Sequence, residues 1–112
     1  MVAFRLPSGN ISCDLSTEGA TCTIGDFTYT PINSTRCTGG VGHVVAVDAA
    51  GVATPCQNGP APTVSAQASV LGYGTSRTAG DYTCLSAQSG VQCTRADGAG
   101  FRLSRTALVV LP

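Results

Sequence analysis

The sequence writes one ten-residue phrase twice, as CDLSTEGATC at 13–22 and as CLSAQSGVQC at 84–93. Each phrase consists of Cys, five residues, Gly, two residues and Cys, and Thr follows both. Apolar and polar residues alternate on the two sides of each glycine-containing loop, which is typical of half-buried strands. The two phrases therefore predict two β-hairpins.

The register of the first hairpin follows from its loop. If Leu15 lies opposite Ala20 across the loop 16–19, then Cys13 lies opposite Cys22, and the loop glycine can take the left-handed conformation that ends such a connection. Directly opposed residues have Cα atoms about 4.5–5.5 Å apart, which is within disulfide range. We expect a bridge between Cys13 and Cys22.

The second hairpin has the same register. Ser86 faces Val91 across the loop 87–90, and Cys84 then faces Cys93, with Tyr82 on the same inward side. The matching geometry of two separate phrases predicts a second bridge, between Cys84 and Cys93.

The remaining cysteines, Cys37 and Cys56, are left as a third pair by elimination among the fifteen possible connectivities. Metal ligation is the rival interpretation, but zinc ligands usually come in pairs two to four residues apart, and no two cysteines here are that close. Six bridged cysteines in a small chain indicate an oxidising compartment. We expect no metal and no other cofactor.

Each hairpin is followed by a short turn and a further apolar segment, FTYTP at 27–31 and FRLSR at 101–105. A duplicated three-strand unit would explain this order. Convergence would explain it too, because glycine-tipped, disulfide-linked hairpins are common. In either case Phe27, Tyr29, Phe101 and Leu103 are expected to face the core.

The rest of the chain also has strand and turn patterns. We expect a strand at 44–47, a turn at 48–51, a returning strand at 52–56, a Pro/Gly connector at 57–63, and a strand within 65–77 that is broken at two glycines. No stretch of ten residues has helical periodicity. The prediction is an all-β domain of about eight short antiparallel strands, as a small disulfide-stapled barrel or sandwich.

The expected domain covers residues 4–112, with residues 1–3 as linker or added residues. The opening MVAFRL lacks the charged start and apolar run of a signal peptide. Because the cysteines indicate export, we expect the natural protein to have an upstream signal, lipid anchor or transmembrane helix.

Composition excludes several classes of function. The formal net charge is zero and all six basic residues are Arg, so the footprint of a nucleic-acid or anionic-membrane binder is absent. His43 is the single histidine on which a nucleophilic triad would have to be built. Four of the six acidic residues fall in predicted turns and Asp14 is on an outward strand face, which is not the paired-carboxylate pattern of a glycosidase. The prediction is that the protein is not an enzyme.

Binding residues are the remaining candidates. Tyr73 lies between two glycines with Arg77 nearby, and Arg102 and Arg105 belong to the mild basic excess of 77–105. Tyr and Arg are enriched at interaction hot spots. The alternative for Tyr73 is that it folds inward as a core aromatic.

Seven segments, in this order, resemble a family of small exported actinobacterial domains that is catalogued as a domain of unknown function: FRLPSGNISC (4–13), the Cys-x8-Cys hairpin, YTP (29–31), LGYG (71–74), GDYTC (80–84), SGVQCT (89–94) and GAGFRLSR (98–105). The resemblance covers residues 4–111. It implies a cell-envelope location, as a lipoprotein or membrane-anchored ectodomain, and brings no catalytic residue or ligand. This chain differs in having no Trp and in a less aromatic middle segment, VATPC.

The leading functional expectation is a non-enzymatic extracytoplasmic domain, secreted or anchored at the outer face of the cytoplasmic membrane, that binds another envelope protein or a cell-wall component. A secreted hydrolase inhibitor, similar to small lysozyme or protease inhibitors, is the alternative, with 71–80 or 31–43 as its inserting loop. An enzyme built on His43 is the third.

Overall fold

The computed structural model describes residues 2–29, 42–55, 64 and 68–111. Strands account for most of this part of the chain, and no helix in it is long and apolar enough to cross a membrane. The eleven strands are β1 Val2–Arg5, β2 Ile11–Ser16, β3 Gly19–Ile24, β4 Val44–Asp48, β5 Gly51–Ala53, β6 Ser69–Val70, β7 Ser76–Ala79, β8 Tyr82–Ala87, β9 Gly90–Arg95, β10 Gly100–Leu103 and β11 Leu108–Leu111.

The strands form two sheets packed face to face. The first sheet has the order β5-β4-β3-β2-β1-β6 and the second has the order β11-β10-β9-β8-β7. Among the strands that the structure describes, both sheets are open, with β5 and β6 at the edges of one and β7 and β11 at the edges of the other. The all-β prediction is confirmed, and of its two architectures the sandwich is correct. One pair, β1 with β6, is parallel, so the sheets are not entirely antiparallel as expected.

Both hairpin registers are confirmed. Leu15 pairs with Ala20 in the first hairpin and Ser86 with Val91 in the second. Pairing continues one step further than predicted, to Ser16–Gly19 and Ala87–Gly90, so that each loop has two unpaired residues instead of four.

Two disulfides lie at the centre of the core. Cys13 is bonded to Cys22 and Cys84 to Cys93, each bridge crossing between neighbouring strands of one sheet. The two bridges meet where the sheets pack, with the Sγ atoms of Cys22 and Cys93 3.7 Å apart. All four residues are buried among the apolar side chains that both sheets point inward. The expected bridge between Cys37 and Cys56 lies outside the described residues.

The repeated glycine of the two phrases has a steric role that the sequence pattern does not reveal. A Cβ atom on Gly19 would lie 2.4 Å from the carbonyl oxygen of Val47, and one on Gly90 would lie 2.0 Å from that of Leu103. Both glycines also have positive φ, +155° and +129°. The strand beside each hairpin, β4 in the first sheet and β10 in the second, therefore occupies the space that a side chain at this position would need, and only glycine fits.

The expected third strand of the first unit is wrong. Residues 27–29 are not in a strand, and β4 occupies the place beside β3, so that Val45 lies opposite Cys22 as Phe101 lies opposite Cys93. Phe27 and Tyr29 are partly buried against the core and stack with ring centroids 4.5 Å apart. Both side chains therefore pack against the core, as expected. They are held by aromatic stacking and not by strand pairing.

The strand count exceeds the expected eight because β1 and β11 were not predicted and the strand expected within 65–77 is divided into β6 and β7. Val2 and Ala3 pair with Leu15 and Asp14, so β1 starts before the domain boundary predicted at residue 4. The expected strand at 52–56 is shorter, since β5 ends at Ala53. The interruption expected around Gly72 and Gly74 separates β6 from β7.

Candidate functional site

The outer face of the second sheet is the exposed surface on which a chemically mixed set of side chains comes together. Residues paired across neighbouring strands share a face, and the row that crosses the middle of this sheet is Val109, Arg102, Gln92, Leu85 and Ser76. We call this row the Arg102 face. Sheet pairing brings together residues that are up to 33 positions apart in the chain.

Arg102 is held upright on this face by its neighbour. Its Nε and one terminal nitrogen donate hydrogen bonds to Oε1 of Gln92 at 3.3 and 3.1 Å. In the described part of the chain no carboxylate forms an ion pair with Arg102, whereas Arg95 and Arg105 both have one. The guanidinium has five N–H donors, so it keeps donors for an incoming acceptor.

Apolar side chains lie on both sides of the Arg102–Gln92 pair, with Val109 next to Arg102 and Leu85 next to Gln92. Leu85 is 39% exposed and Val109 is 42% exposed, although β-strand side chains at these positions could be polar without disturbing the core. A groove beside them is lined by Leu85, Gln92 and Arg102 together with the β8–β9 turn. Protein interfaces combine apolar contact area with a few anchoring residues, among which Arg is enriched.

The outer face of the first sheet has a different character. Its central row consists of Ala53, Ala46, Thr21, Asp14 and Ala3. A groove next to this row is lined by three carboxylate residues, Asp14, Glu18 and Asp48. Its small and acidic residues offer less apolar contact area than the Arg102 face.

The four predicted binding residues do not form one site. Arg102 lies on the Arg102 face, but Arg77 pairs with the inward-facing Cys84 and therefore lies on the other side of edge strand β7. Tyr73 is exposed in the turn before β7, so it is not a core aromatic. Arg105 lies in the β10–β11 connection and approaches Asp26 at 3.5 Å, a solvent-exposed pair of small energetic value.

The segment 71–80, expected as a protruding inhibitor loop, is mostly strand β7 and the turn before it. The backbone of that turn is bonded to β8 through Gly74 N–H to Ser86 O at 2.7 Å and Ser86 N–H to Thr75 O at 2.9 Å. The Ser86 hydroxyl, fully buried, donates to Leu71 O at 2.9 Å. The turn is therefore fixed to the sheet, with Tyr73 as its exposed side chain. The other candidate loop, 31–43, lies almost entirely outside the described residues.

His43 is used structurally. Its Nδ1 lies 2.8 Å from the carbonyl oxygen of Ile24, and because a carbonyl can only accept, Nδ1 carries the proton. The ring also packs edge-on against Phe27, with centroids 4.9 Å apart. These contacts fix the strand entrance of β4 beside the end of β3.

Tyr29 lies next to His43 and has a perturbed hydroxyl. The phenol donates a hydrogen bond to the carbonyl oxygen of Gly42, and burial raises its pKa to about 12. It stays protonated over the physiological range, and with the Phe27 stack it fastens the segment after β3 to the start of β4.

Arg95 and Asp97 form a second fixed charged group at the opposite end of the sandwich. Two guanidinium nitrogens of Arg95 donate to the two carboxylate oxygens at 3.1 and 2.8 Å, and a third donates to the carbonyl oxygens of Asp48 and Ala49. The hydrogen bonds from Arg95 and from the Ala99 N–H hold the pKa of Asp97 below its usual range. This group connects a turn of each sheet.

The cysteine sulfurs are the densest group of potential metal ligands in the described part of the chain. Sγ atoms of Cys13, Cys22 and Cys93 lie within 4.8 Å of one another. Each of these atoms is already bonded to a second sulfur, so none is available as a thiolate.

No protein-family model matches the sequence, and no curated protein and no solved structure was found to match it. The function of this protein is therefore inferred from the geometry of its surface.

Of the residues on the Arg102 face, Arg102 was predicted from the sequence as a binding residue, whereas Leu85, Gln92 and Val109 were not. Leu85 had a detectable signal, because it is a large apolar residue out of phase with the inward-facing Cys84 and Ser86 of its own strand. Val109 had none, since it lies in the apolar run LVVL, where inward and outward positions look the same.

Proposed function

We propose that this protein is a non-enzymatic binding domain that works outside the cytoplasm and engages another envelope protein or a cell-wall component through the Arg102 face. The observation that supports this most is the exposed pair Leu85 and Val109 on either side of the Arg102–Gln92 pair, in which the guanidinium has no carboxylate partner among the described residues. A partner with a carboxylate opposite Arg102 and apolar groups on both sides fits this surface.

The scaffold suits such a role because it holds the face rigid. The bridge between Cys84 and Cys93 cross-links β8 to β9. It lies one residue pair from Leu85 and Gln92, on the inner face of the same sheet. A surface that is already ordered loses little conformational entropy when a partner binds.

The extracytoplasmic location is part of the same proposal. Disulfides persist in oxidising environments and are rare in the cytosol, and two of them form the centre of this core. Anchoring at the outer face of the cytoplasmic membrane, as the resemblance implies, would depend on a segment other than those described.

Site-specific photo-cross-linking tests the proposed face. A photoreactive residue is placed at position 85, or at position 21 on the outer face of the other sheet as a control, and the oxidised domain is incubated with envelope extract. We expect an adduct from position 85 that Arg102→Glu reduces at least tenfold and Arg77→Glu leaves unchanged.

Three outcomes would contradict the proposal: equal adducts from both positions, equal effects of the two Arg variants, or no adduct from position 85. Titration into lysozyme and protease assays addresses the inhibitor alternative, for which Tyr73→Ala would be the informative variant.

A further inference from the structure

Strand β11 is an open sheet edge that differs from the other three edges of the sandwich. Edge strands are usually protected from pairing by being short or by charged side chains. The edges β5 and β6 have three and two residues, and β7 contains Arg77. In contrast, β11 has four residues, Leu-Val-Val-Leu, and no charge.

The hydrogen-bonding direction of β11 follows from its connection to β10. Ser104 N–H donates to Ala107 O at 2.8 Å, and hydrogen-bonded pairs alternate along an antiparallel ladder. The pairs of Arg102 with Val109 and of Gly100 with Leu111 are therefore the hydrogen-bonded ones. By the same alternation, the backbone N–H and C=O groups of Leu108 and Val110 point away from β10, toward the open edge.

Side-chain exposure agrees with this geometry. Val110 is the most exposed large apolar residue of the described chain, at 53%, and Val109 beside it is 42% exposed. One apolar side chain thus lies on each face of the same edge, whose outward backbone donors and acceptors have no partner among the described residues. Burial of both faces together requires a strand that continues the sheet.

We propose that β11 pairs antiparallel with β11 of a second copy of this chain, joining two five-stranded sheets into one of ten strands. A two-fold axis perpendicular to the sheet keeps outward residues opposite outward residues, so Val109 can face Val109 of the other copy. Leu108 then lies opposite Val110 in both directions, and each of the four open N–H groups meets a carbonyl.

This register satisfies the free groups on both strands without a further residue. A shift by one residue would place inward side chains against outward ones. A shift by two residues toward the C-terminus would place Leu108 opposite Pro112, which has no N–H to donate. A shift by two toward the N-terminus would place Val110 opposite Thr106, which lies in the β10–β11 connection and outside β11. β11 of a second copy therefore matches this edge in length, in its uncharged side chains and in the direction of its open hydrogen-bonding groups. The dimer would also make the two Arg102 faces continuous, but it does not depend on the proposed function.

Sedimentation velocity of the oxidised protein over a range of concentrations tests the dimer. We expect the mass to rise from that of one chain to that of two. Val110→Lys, which puts a charge at the paired edge, should abolish the dimer. Val70→Lys is the matched control, because Val70 is 48% exposed on the opposite-sheet edge β6, and it should leave the dimer unchanged.

Cysteine cross-linking tests the register and does not depend on a destabilising variant. Val109→Cys places two thiols on directly opposed residues, so mild oxidation should give an intermolecular bridge in a tryptic map. Val110→Cys places them two residues out of register, beyond the roughly 7 Å Cα limit for a disulfide, and should not. A monomer at all concentrations up to about 1 mM, loss of the dimer in Val70→Lys, or equal cross-linking at both positions would overturn the proposal.

Discussion

Removal of either described disulfide should cost the same amount of stability, because the two bridges close loops of equal length. Each joins cysteines nine positions apart, for which the chain-entropy relation gives about 2.6 kcal/mol at 25 °C. Replacing the buried cysteines by Ala also removes two core sulfur atoms, which adds about 1 kcal/mol of lost packing. We expect Cys13→Ala/Cys22→Ala and Cys84→Ala/Cys93→Ala each to lower the free energy of unfolding by about 3–4 kcal/mol.

Urea denaturation followed by circular dichroism measures both variants against the oxidised parent protein. Because Sγ of Cys22 contacts Sγ of Cys93, the variant lacking both bridges should deviate from the sum of the two losses by about 0.5 kcal/mol or more. A loss below about 1 kcal/mol for either pair would refute the reasoning, as would losses for the two pairs that differ by more than about 1.5 kcal/mol.

Three further changes test separate parts of the structure. Gly90→Ala should destabilise the protein by about 3 kcal/mol or more in thermal unfolding, because the added Cβ would overlap the carbonyl oxygen of Leu103. Gly51 also has positive φ (+119°) but open space where its Cβ would lie, so Gly51→Ala should cost about 1–2 kcal/mol. Equal losses would contradict the steric role of Gly90. Absorbance titration of the phenols should show one component near pH 12 that Tyr29→Phe removes. Because the folded pKa of Tyr29 is raised, the stability that the neutral phenol contributes is present below the ordinary pKa of 10 and is lost as pH rises from there toward 12. An unchanged titration curve would contradict this assignment. For Asp97 the folded pKa is depressed, so the stability that its carboxylate contributes is present above the ordinary carboxyl pKa and is lost as pH falls through the lowered value. Carboxyl NMR titration should show that Arg95→Gln returns the pKa of Asp97 toward its usual range. No change in that pKa would contradict the hydrogen-bond explanation.

The hairpins could be predicted from the sequence because their information is local. Alternation on both sides of a short glycine loop fixes which residues face each other, and Cys13–Cys22 and Cys84–Cys93 follow from it. For Gly19 and Gly90 the sequence indicated only the backbone conformation at the end of the loop, which is one of two reasons for glycine there. The other reason is steric: a backbone carbonyl of the neighbouring strand, β4 or β10, lies 2.0–2.4 Å from where the Cβ would be. That carbonyl belongs to a residue 28 positions from Gly19 in the first sheet and 13 positions from Gly90 in the second.

Long-range neighbours could not be predicted in this way. The place beside β3 goes to β4 and not to residues 27–29, because stacking of Phe27 on Tyr29 and the hydrogen bond of Tyr29 to Gly42 turn the chain away from the sheet. The Arg102 face depends on the same kind of information. Leu85 and Gln92 are opposed within the hairpin that the local pattern predicts, but Arg102 becomes their neighbour only through the pairing of β10 with β9, whose register no local pattern indicates.

Both described bridges run along one layer of the sandwich, and neither ties one layer to the other. Cohesion between the layers at this point is a contact between two sulfur atoms, with no covalent bond. An oxidised chain that loses its tertiary packing therefore keeps two short covalent loops, each within one layer, while no described covalent bond limits the separation of the layers.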